Sequence, residues 1–241
     1  RGLPMNFNLD FFVRTFFLAL AGLPVTVGLT ACTLALAAPC ALTFALVRMY
    51  RVRFFDKAVA LYVSFLRGTP IVLQILIIYS ILPSALNAVA LRSGWKLDVF
   101  AVNPFWYALF VFTLNTSAIL SEVFRSAILT VDRGQLEAAL AAGLSHFHAW
   151  KRIVLPQAFL VALPNLSNAT VNLIKSTSLA FMMTVRDVTA IAKIEASYGY
   201  NYIEAYLDIF IVYALLGFAV QWAFSVFEQR LGSWRKKALF R

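Results

Sequence analysis

Five long apolar runs, separated by shorter polar stretches, set the pattern of this chain. They cover about residues 25–47, 58–82, 104–129, 158–185 and 204–227. Each exceeds the ~20 apolar residues that a helix needs to cross a bilayer. Hydrocarbon offers no partner to a free N–H or C=O, so a spanning segment must satisfy its backbone internally, as an α-helix does. The pattern therefore predicts an all-α polytopic fold with five transmembrane helices, forming one membrane domain over residues 1–241. Ahead of the first run, residues 11–22 read as an interfacial approach that breaks near Pro24. The second run is interrupted by Arg67-Gly68-Thr69-Pro70. Pro70 removes a backbone hydrogen bond and Gly68 loosens the helix, so a kink is expected there. The third run opens on Pro104, which suits a first helical turn. The fourth contains Pro164 and Lys175, and residues 186–203 form a polar link to the fifth.

Composition removes the other classes. Hydrophobic residues make up 61% of the 241 positions and charged residues 13%, against about 25% charged in soluble domains. A soluble enzyme, a disordered chain and a disulfide scaffold are excluded. Cys32 and Cys40 lie in the first run with no metal-ligand spacing and read as packing residues. The net charge of +10 does not point to nucleic acid, because the cations lie between the apolar runs and in the C-terminal tail. Thirteen Lys and Arg fall on one side of the predicted spans and six on the other. By the positive-inside rule the N-terminus lies outside, and the third loop and C-terminus lie in the cytoplasm. Trp95, Trp106, Trp222 and Trp234 stand near predicted span ends, where interfacial aromatics belong. No cleavable signal peptide is legible, since the first apolar stretch is too long and lacks an Ala-x-Ala exit.

The longest loop, residues 130–156, carries the most information. Leu136, Leu140, Leu144 and Phe147 recur at helical spacing and predict one apolar stripe. Gly143 is placed to end a first helix in a left-handed conformation. Ser145 then caps a second short helix through His148–Ile153, and Pro156 sets the return into the membrane. A helix–turn–helix of this kind fits a groove on another protein or lies on lipid; the pattern alone leaves both open.

The same loop carries a resemblance. Glu137-Ala138-Ala139, Gly143, and Ile153-x-Leu155-Pro156 match in spacing the EAA signature of ABC importer permeases. Arg67-Gly-Thr-Pro70, Ser121-Glu122-Val-Phe-Arg125, Leu155-Pro-Gln157, Ala162-Leu-Pro164 and Lys175-Ser-Thr-Ser-Leu179 extend it over about residues 23–231. The chain resembles the polar amino-acid branch of that family, of histidine, arginine, glutamine and cystine type. The resemblance implies that Glu137, Ala138, Ala139, Leu140, Gly143, Leu144 and Pro156 form a coupling helix docking onto an ATPase. It further implies a cytoplasmic ABC ATPase dimer that binds ATP and Mg, a second permease (identical or paralogous), an extracytoplasmic solute-binding protein docking near residues 92–98 and 186–202, and an amino-acid substrate. Glu137 is expected to stabilise a helix start, where carboxylates suit the dipole.

No phosphate-binding loop, Ser/His/Asp set or His/Cys cluster is legible, so the chain itself is expected to hold no catalytic group, cofactor or metal. His146 and His148 read as loop-surface residues. Intramembrane charges are the first candidates for a substrate path, because burying one in lipid costs about 2.5–3.5 kcal/mol or more. Arg67, Glu122 and Lys175 stand out, with Glu122 ~10 Å from the inner end of its span. They fit a substrate site or an internal ion pair. Asn115 on the third span, and Asn172 and Ser176 on the fourth, are weaker candidates. Asn168, Asn172 and Ser176 share one helix face, which suits a polar cavity or hydrogen bonding between helices. A gradient-driven transporter or channel is the alternative to the ATP-driven reading.

Overall fold

The computed structural model describes residues 7–95 and 98–239, with side chains through Leu231. The predicted roles of Arg1, Lys96, Trp234, Arg235, Lys236, Lys237 and Arg241 lie outside the described residues or side chains. Ten α-helices follow in order: α1 Leu9–Leu20, α2 Leu23–Met49, α3 Phe55–Gly68, α4 Ile71–Arg92, α5 Pro104–Leu129, α6 Arg133–Ala141, α7 His146–Ala149, α8 Leu155–Thr177, α9 Val188–Gly199 and α10 Tyr202–Leu239. No strand occurs among the described residues. Four of the helices, α2, α4, α5 and α10, are long and apolar enough to cross a membrane. The predicted fourth span is α8, at 23 residues long enough for a ~30 Å core but more polar than the others.

Several boundaries differ from the sequence pattern, each for a local reason. Pro24 lies inside the first turn of α2, where its missing N–H is unneeded; the break falls at Ala21–Gly22 instead. The second span is two helices rather than one kinked helix. Pro70 takes an extended conformation (φ −61°, ψ 132°), and α4 runs ten residues past the predicted end at residue 82. The Gln74 side chain closes the break, donating to the Thr69 carbonyl at 3.1 Å and its hydroxyl at 2.9 Å. Pro156 lies in the first turn of α8, at the start of the predicted fourth span. α7, a π-helical turn over Trp150–Val154 and α8 follow one another without a gap, and proline is tolerated in the first turn of α8. α8 stops at Thr177, eight residues early, and a 3₁₀ turn Ala180–Met183 ends at Thr184 in the left-handed region (φ 59°). Most of the polar link is α9, whose start is capped by Asp187.

The chain divides into two compact units. One comprises Arg1–Thr33, Thr69–Thr113 and Leu173–Phe218; the other comprises Leu34–Gly68, Leu114–Asn172 and Ala219–Arg241. α2, α5, α8 and α10 each contribute a segment to both. In the first unit, α1 lies against α9. The Asn8 amide donates to the Glu204 carboxylate at 2.8 Å, and Arg14 faces Glu195 at 3.8 Å. The junction of α1 and α2 passes so close to the start of α9 that a Cβ on Gly22 would stand 2.4 Å from the Val188 nitrogen. Ala90, Val99 and Tyr107 form a buried cluster with Tyr79, Leu82 and Val102, in which the Tyr107 hydroxyl donates to the Val99 carbonyl.

The second unit packs small residues of α2 on α5. Ala37, Ala41 and Leu120 are buried with Phe124 and Leu166 around them. Val63 and Leu66 of α3 pack on Ala118, and the Tyr62 hydroxyl reaches the Leu114 carbonyl at 2.9 Å. Ile128, Val154 and Ala158 form a third cluster that takes in Leu136 of α6. Cys32 and Cys40 are free and exposed rather than packed, because they lie off the alanine face of α2.

Gly22→Ala is expected to lower the melting temperature of the purified protein, since the backbone of Asp187 and Val188 must shift. Overpacking of this kind costs about 1–3 kcal/mol. Gly28→Ala, which meets nothing within 4 Å, serves as the control and is expected to be neutral or slightly stabilising. Equal melting curves for the two variants would remove the close approach as a constraint.

Candidate functional site

The loop between α5 and α8 is built from two capped helices. The Asp132 carboxylate accepts from the Gly134 amide and starts α6. Gly143 lies at φ +86° just past the end of α6, with open space around it. The Ser145 hydroxyl accepts from the His148 amide and starts α7; it also bonds the His148 Nδ1 at 2.8 Å. The predicted left-handed turn and serine cap are present. Glu137 is not at the helix start: it is the fifth residue of α6, exposed, and the cap is Asp132. Sequence reading passed over Asp132 because it fixed on the motif rather than on the residue just before the helix.

The predicted stripe holds only in part. Ala139 is buried, and Leu136, Leu140 and Leu144 are half-buried. Phe147 is 68% exposed, since the turn at Gly143 rotates it off that face. The outward face thus carries Glu137, Ala138, Gly143 and Phe147, with Lys151 stacked 5.8 Å over the Phe147 ring. Pro156 is also exposed. A short, small-residue ridge with one acidic group and one aromatic knob is suited to seating in a partner's groove.

The second unit gathers a charge cluster around Glu122. Its two oxygens pair separately, one with Arg48 of α2 and the other with Arg125 at 2.8 Å. Arg48 and Arg125 read from sequence as loop cations; the fold turns both onto a carboxylate inside the third span. The spacing Glu122–Arg125 (i, i+3) was the signal available. Arg67 ends α3 and is exposed. Asn115 is buried and its amide points to the Leu66 carbonyl at 3.5 Å, while Ser117 bonds Tyr62. Of the predicted path residues in this unit, Glu122 is bound into an ion-pair network and Asn115 into helix packing.

α8 carries an uncovered polar face. Asn165, Asn168, Asn172 and Lys175 are all exposed, and Ser176 is half-exposed beside them. The opposite face, including Leu163, Val171 and Ile174, is buried. Lys175 lies in the last turn of α8, where a cation is favoured by the helix dipole.

Three acidic groups in the first unit escaped sequence reading. Asp187, fully buried, caps α9 and accepts from the Tyr213 hydroxyl at 3.0 Å. Glu204 and Asp208 lie one turn apart on α10, inside the predicted fifth span, and both are buried. Neither Asp208 oxygen has a hydrogen-bond partner. The rule that singled out Arg67, Glu122 and Lys175 applies equally to residues 204–227 and would have found them. No group of three His, Cys, Asp or Glu able to hold a metal occurs among the described residues.

Residues 37–233 match the family described as "Binding-protein-dependent transport system inner membrane component". The chain is 33% identical over 211 residues to an L-cystine transport system permease protein of Bacillus subtilis (strain 168), covering 88% of this chain and 86% of that one. It is 35% identical over 227 residues to an octopine transport system permease protein of Rhizobium radiobacter, covering 94% and 91%. Among solved structures, a crystal structure of an amino acid ABC transporter with histidines superposes with a TM-score of 0.77 at 27% identity, over 94% of this chain and all of that one. The MetNI methionine ABC transporter, in an inward-facing form, shares the fold at TM-score 0.64 and 15% identity, over 96% and 99%.

Two outcomes are expected from these geometries. Glu122→Gln leaves Arg48 and Arg125 without a counter-charge, and thermal stability in detergent is expected to fall by about 1.5–3 kcal/mol. Arg125→Gln in the same background should then cost much less than it does alone. For Asp187, burial raises the carboxyl from 3.8 to about 6, opposed by hydrogen bonds from Ala190 and Tyr213. A raised folded-state value means that its contribution to stability is fully present below the ordinary value and is lost as pH climbs through about 6. Stability is therefore expected to rise on going from pH 7 to pH 4, and Asp187→Asn, which keeps the capping oxygen, should flatten that slope. An unchanged slope would assign the dependence to another group.

Proposed function

The chain belongs to the family of binding-protein-dependent transport system inner membrane components; from that premise we propose that it is the permease subunit of an ATP-driven importer of polar amino acids. The whole of residues 1–241 acts as one permease domain in the cytoplasmic membrane. Its N-terminus faces outside, and the α6–α7 loop and C-terminus face the cytoplasm. The observation that carries this reading is the α6–α7 loop. Its inner face is packed into the second unit through Leu136, while Glu137, Ala138, Gly143 and Phe147 stay exposed, with Lys151 against the Phe147 ring. A surface of that shape supports docking onto a separate ATPase that binds ATP and Mg. A second permease, this same chain or a paralogue, completes the pathway, and an extracytoplasmic binding protein delivers the substrate.

In this mechanism, ATP-driven closure of the ATPase dimer moves two such loops toward each other, and the spans rock between two openings. ATP drives the change only as far as the closed dimer favours one state over the other. Within the pathway, the exposed face of α8 supplies the polar lining. Asn172 and Ser176 contribute neutral hydrogen-bonding groups, and Lys175 meets the substrate carboxylate. Glu122, held by two arginines, and Asn115, turned into helix packing, position the spans and do not bind substrate. Arg67 stands at the end of α3 beside the helix break. Relatives that carry cystine and octopine support amino acids or their derivatives as the substrate class.

The test is co-purification and turnover. Expressed with its operon partners, the chain should come out of the membrane with an ATPase subunit, and hydrolysis should rise when substrate-loaded binding protein is added to reconstituted vesicles. Gly143→Val forces a β-branched residue into a left-handed conformation, which costs about 1–2 kcal/mol. It is expected to lose both the ATPase and the stimulation while the permease remains folded. Uptake driven by an ion gradient with no ATPase present would establish the gradient-driven alternative instead.

A further inference from the structure

The second unit contains an apolar groove of 740 Å³ on the side of α8 away from its asparagines. Leu34, Ala38 and Leu42 of α2 form one wall, and Phe124 of α5, Phe159 of α8 and Phe224 and Phe227 of α10 the others. At Leu42 and Leu155 it runs on into a second recess of 550 Å³, lined by Leu46, Tyr50 and Trp150 and ending at His146 and Lys151. The polar character changes along this track. The first recess is almost wholly apolar, while the second carries exposed Lys151 and His146 with Phe147 between them in the chain; exposed Arg152 follows Lys151 in sequence. Among the described residues, no acidic side chain lines either recess.

The dimensions discriminate among occupants. From Leu34 to Leu42 the groove extends ~12 Å along the α2 axis, close to the ~15 Å depth of one leaflet of a ~30 Å hydrocarbon core. A protein helix seated here would need its own acidic partner for the basic mouth and would extend past the leaflet. A lipid supplies both requirements in one molecule, an apolar chain of leaflet depth and an anionic head. Anionic lipids are concentrated in the cytoplasmic leaflet, and juxtamembrane Lys and Arg attract them.

We propose that this groove holds an acyl chain of an anionic phospholipid of the cytoplasmic leaflet, with its phosphate held by Lys151 and Arg152 at the root of the α6–α7 loop. The proposal rests on the orientation given above. Because the head group site adjoins the docking loop, the bound lipid braces α7 and the π-helical turn against α2, where Tyr50 already stacks on Trp150 at 6.1 Å.

The test uses the whole importer, permease with its ATPase, in nanodiscs of phosphatidylcholine alone or phosphatidylcholine mixed with phosphatidylglycerol. Lipids retained after release into detergent are counted by native mass spectrometry, and melting is followed in parallel. The wild-type complex should retain phosphatidylglycerol in preference to phosphatidylcholine and melt higher with it. Lys151→Gln and Arg152→Gln should each weaken phosphatidylglycerol retention about fivefold, leaving phosphatidylcholine unaffected. Ala38→Phe, which fills the apolar part, should reduce retention of both lipids. Equal retention of the two lipids by the wild type, or unchanged retention and melting in the charge variants, would overturn the proposal. So would a disulfide between two copies carrying Phe159→Cys in a Cys32→Ser, Cys40→Ser background, because a second permease would then fill the groove. Loss of the ATPase from the wild-type complex is a separate result that overturns the importer reading, whatever the lipid count.

Discussion

A membrane interior gives no hydrogen bond and no counter-charge, so every polar group placed there must find its partner within protein. That single constraint explains where this chain is irregular and why it holds. The break at Thr69–Pro70 frees backbone acceptors, and Gln74 is positioned to fold back on Thr69 and satisfy them. Glu122 is a carboxylate inside a span, and the two arginines bound to it come from the end of α2 and from α5 itself. Outside the predicted spans the same need is met at Asp187, fully buried, which caps α9 and takes a further bond from Tyr213. Each irregularity comes with its compensation, contributed by a residue whose own position in the pattern looks unremarkable.

The polar face of α8 is informative for the same reason. Asn165, Asn168 and Asn172 form an exposed face along α8, and a helix presenting three asparagines to lipid would be poorly inserted. The face must meet a second chain, a water-filled path, or both. This is the physical content behind reading α8 as pathway rather than as scaffold. It also explains why α8 is more polar than α2, α4, α5 and α10, which match an ordinary span in apolarity. A segment that lines a cavity needs only one apolar face.

How much was legible follows from which interactions are local. α5 was read to the residue, because Pro104 and the polar loop after Leu129 mark both ends in sequence. The left-handed turn at Gly143 and the cap at Ser145 were also legible, since both depend on a few adjacent residues. The second span, the short end of α8 and the helix α9 were not. Pro70 was expected to bend a helix, and whether it bends or ends one depends on Gln74 reaching back. Residues 186–203 looked like a link because their polarity hid the helical pattern of Val188, Ala192 and Ala196, all buried against neighbours distant in sequence. At the candidate site, the exposed loop face was visible in the motif. The partners of Glu122 were not, because Arg48 lies 74 residues away and counted convincingly as an interfacial cation.

That last point changes what the positive charge does. Thirteen cations on one side of the predicted spans argue for an orientation through their sum, and for that purpose their individual positions matter little. Yet the fold assigns them separate work: Arg48 and Arg125 neutralise Glu122, and Lys151 lines the end of an apolar recess. Cations gathered between the predicted spans thus also serve internal pairing. Two of them offset a buried carboxylate near the C-terminal end of α5. Asp208 on α10 is fully buried, and neither of its oxygens has a hydrogen-bond partner among the described residues. A buried carboxylate needs a counter-charge or a hydrogen bond to offset its lost hydration, and at Glu122 the fold provides both through two arginines.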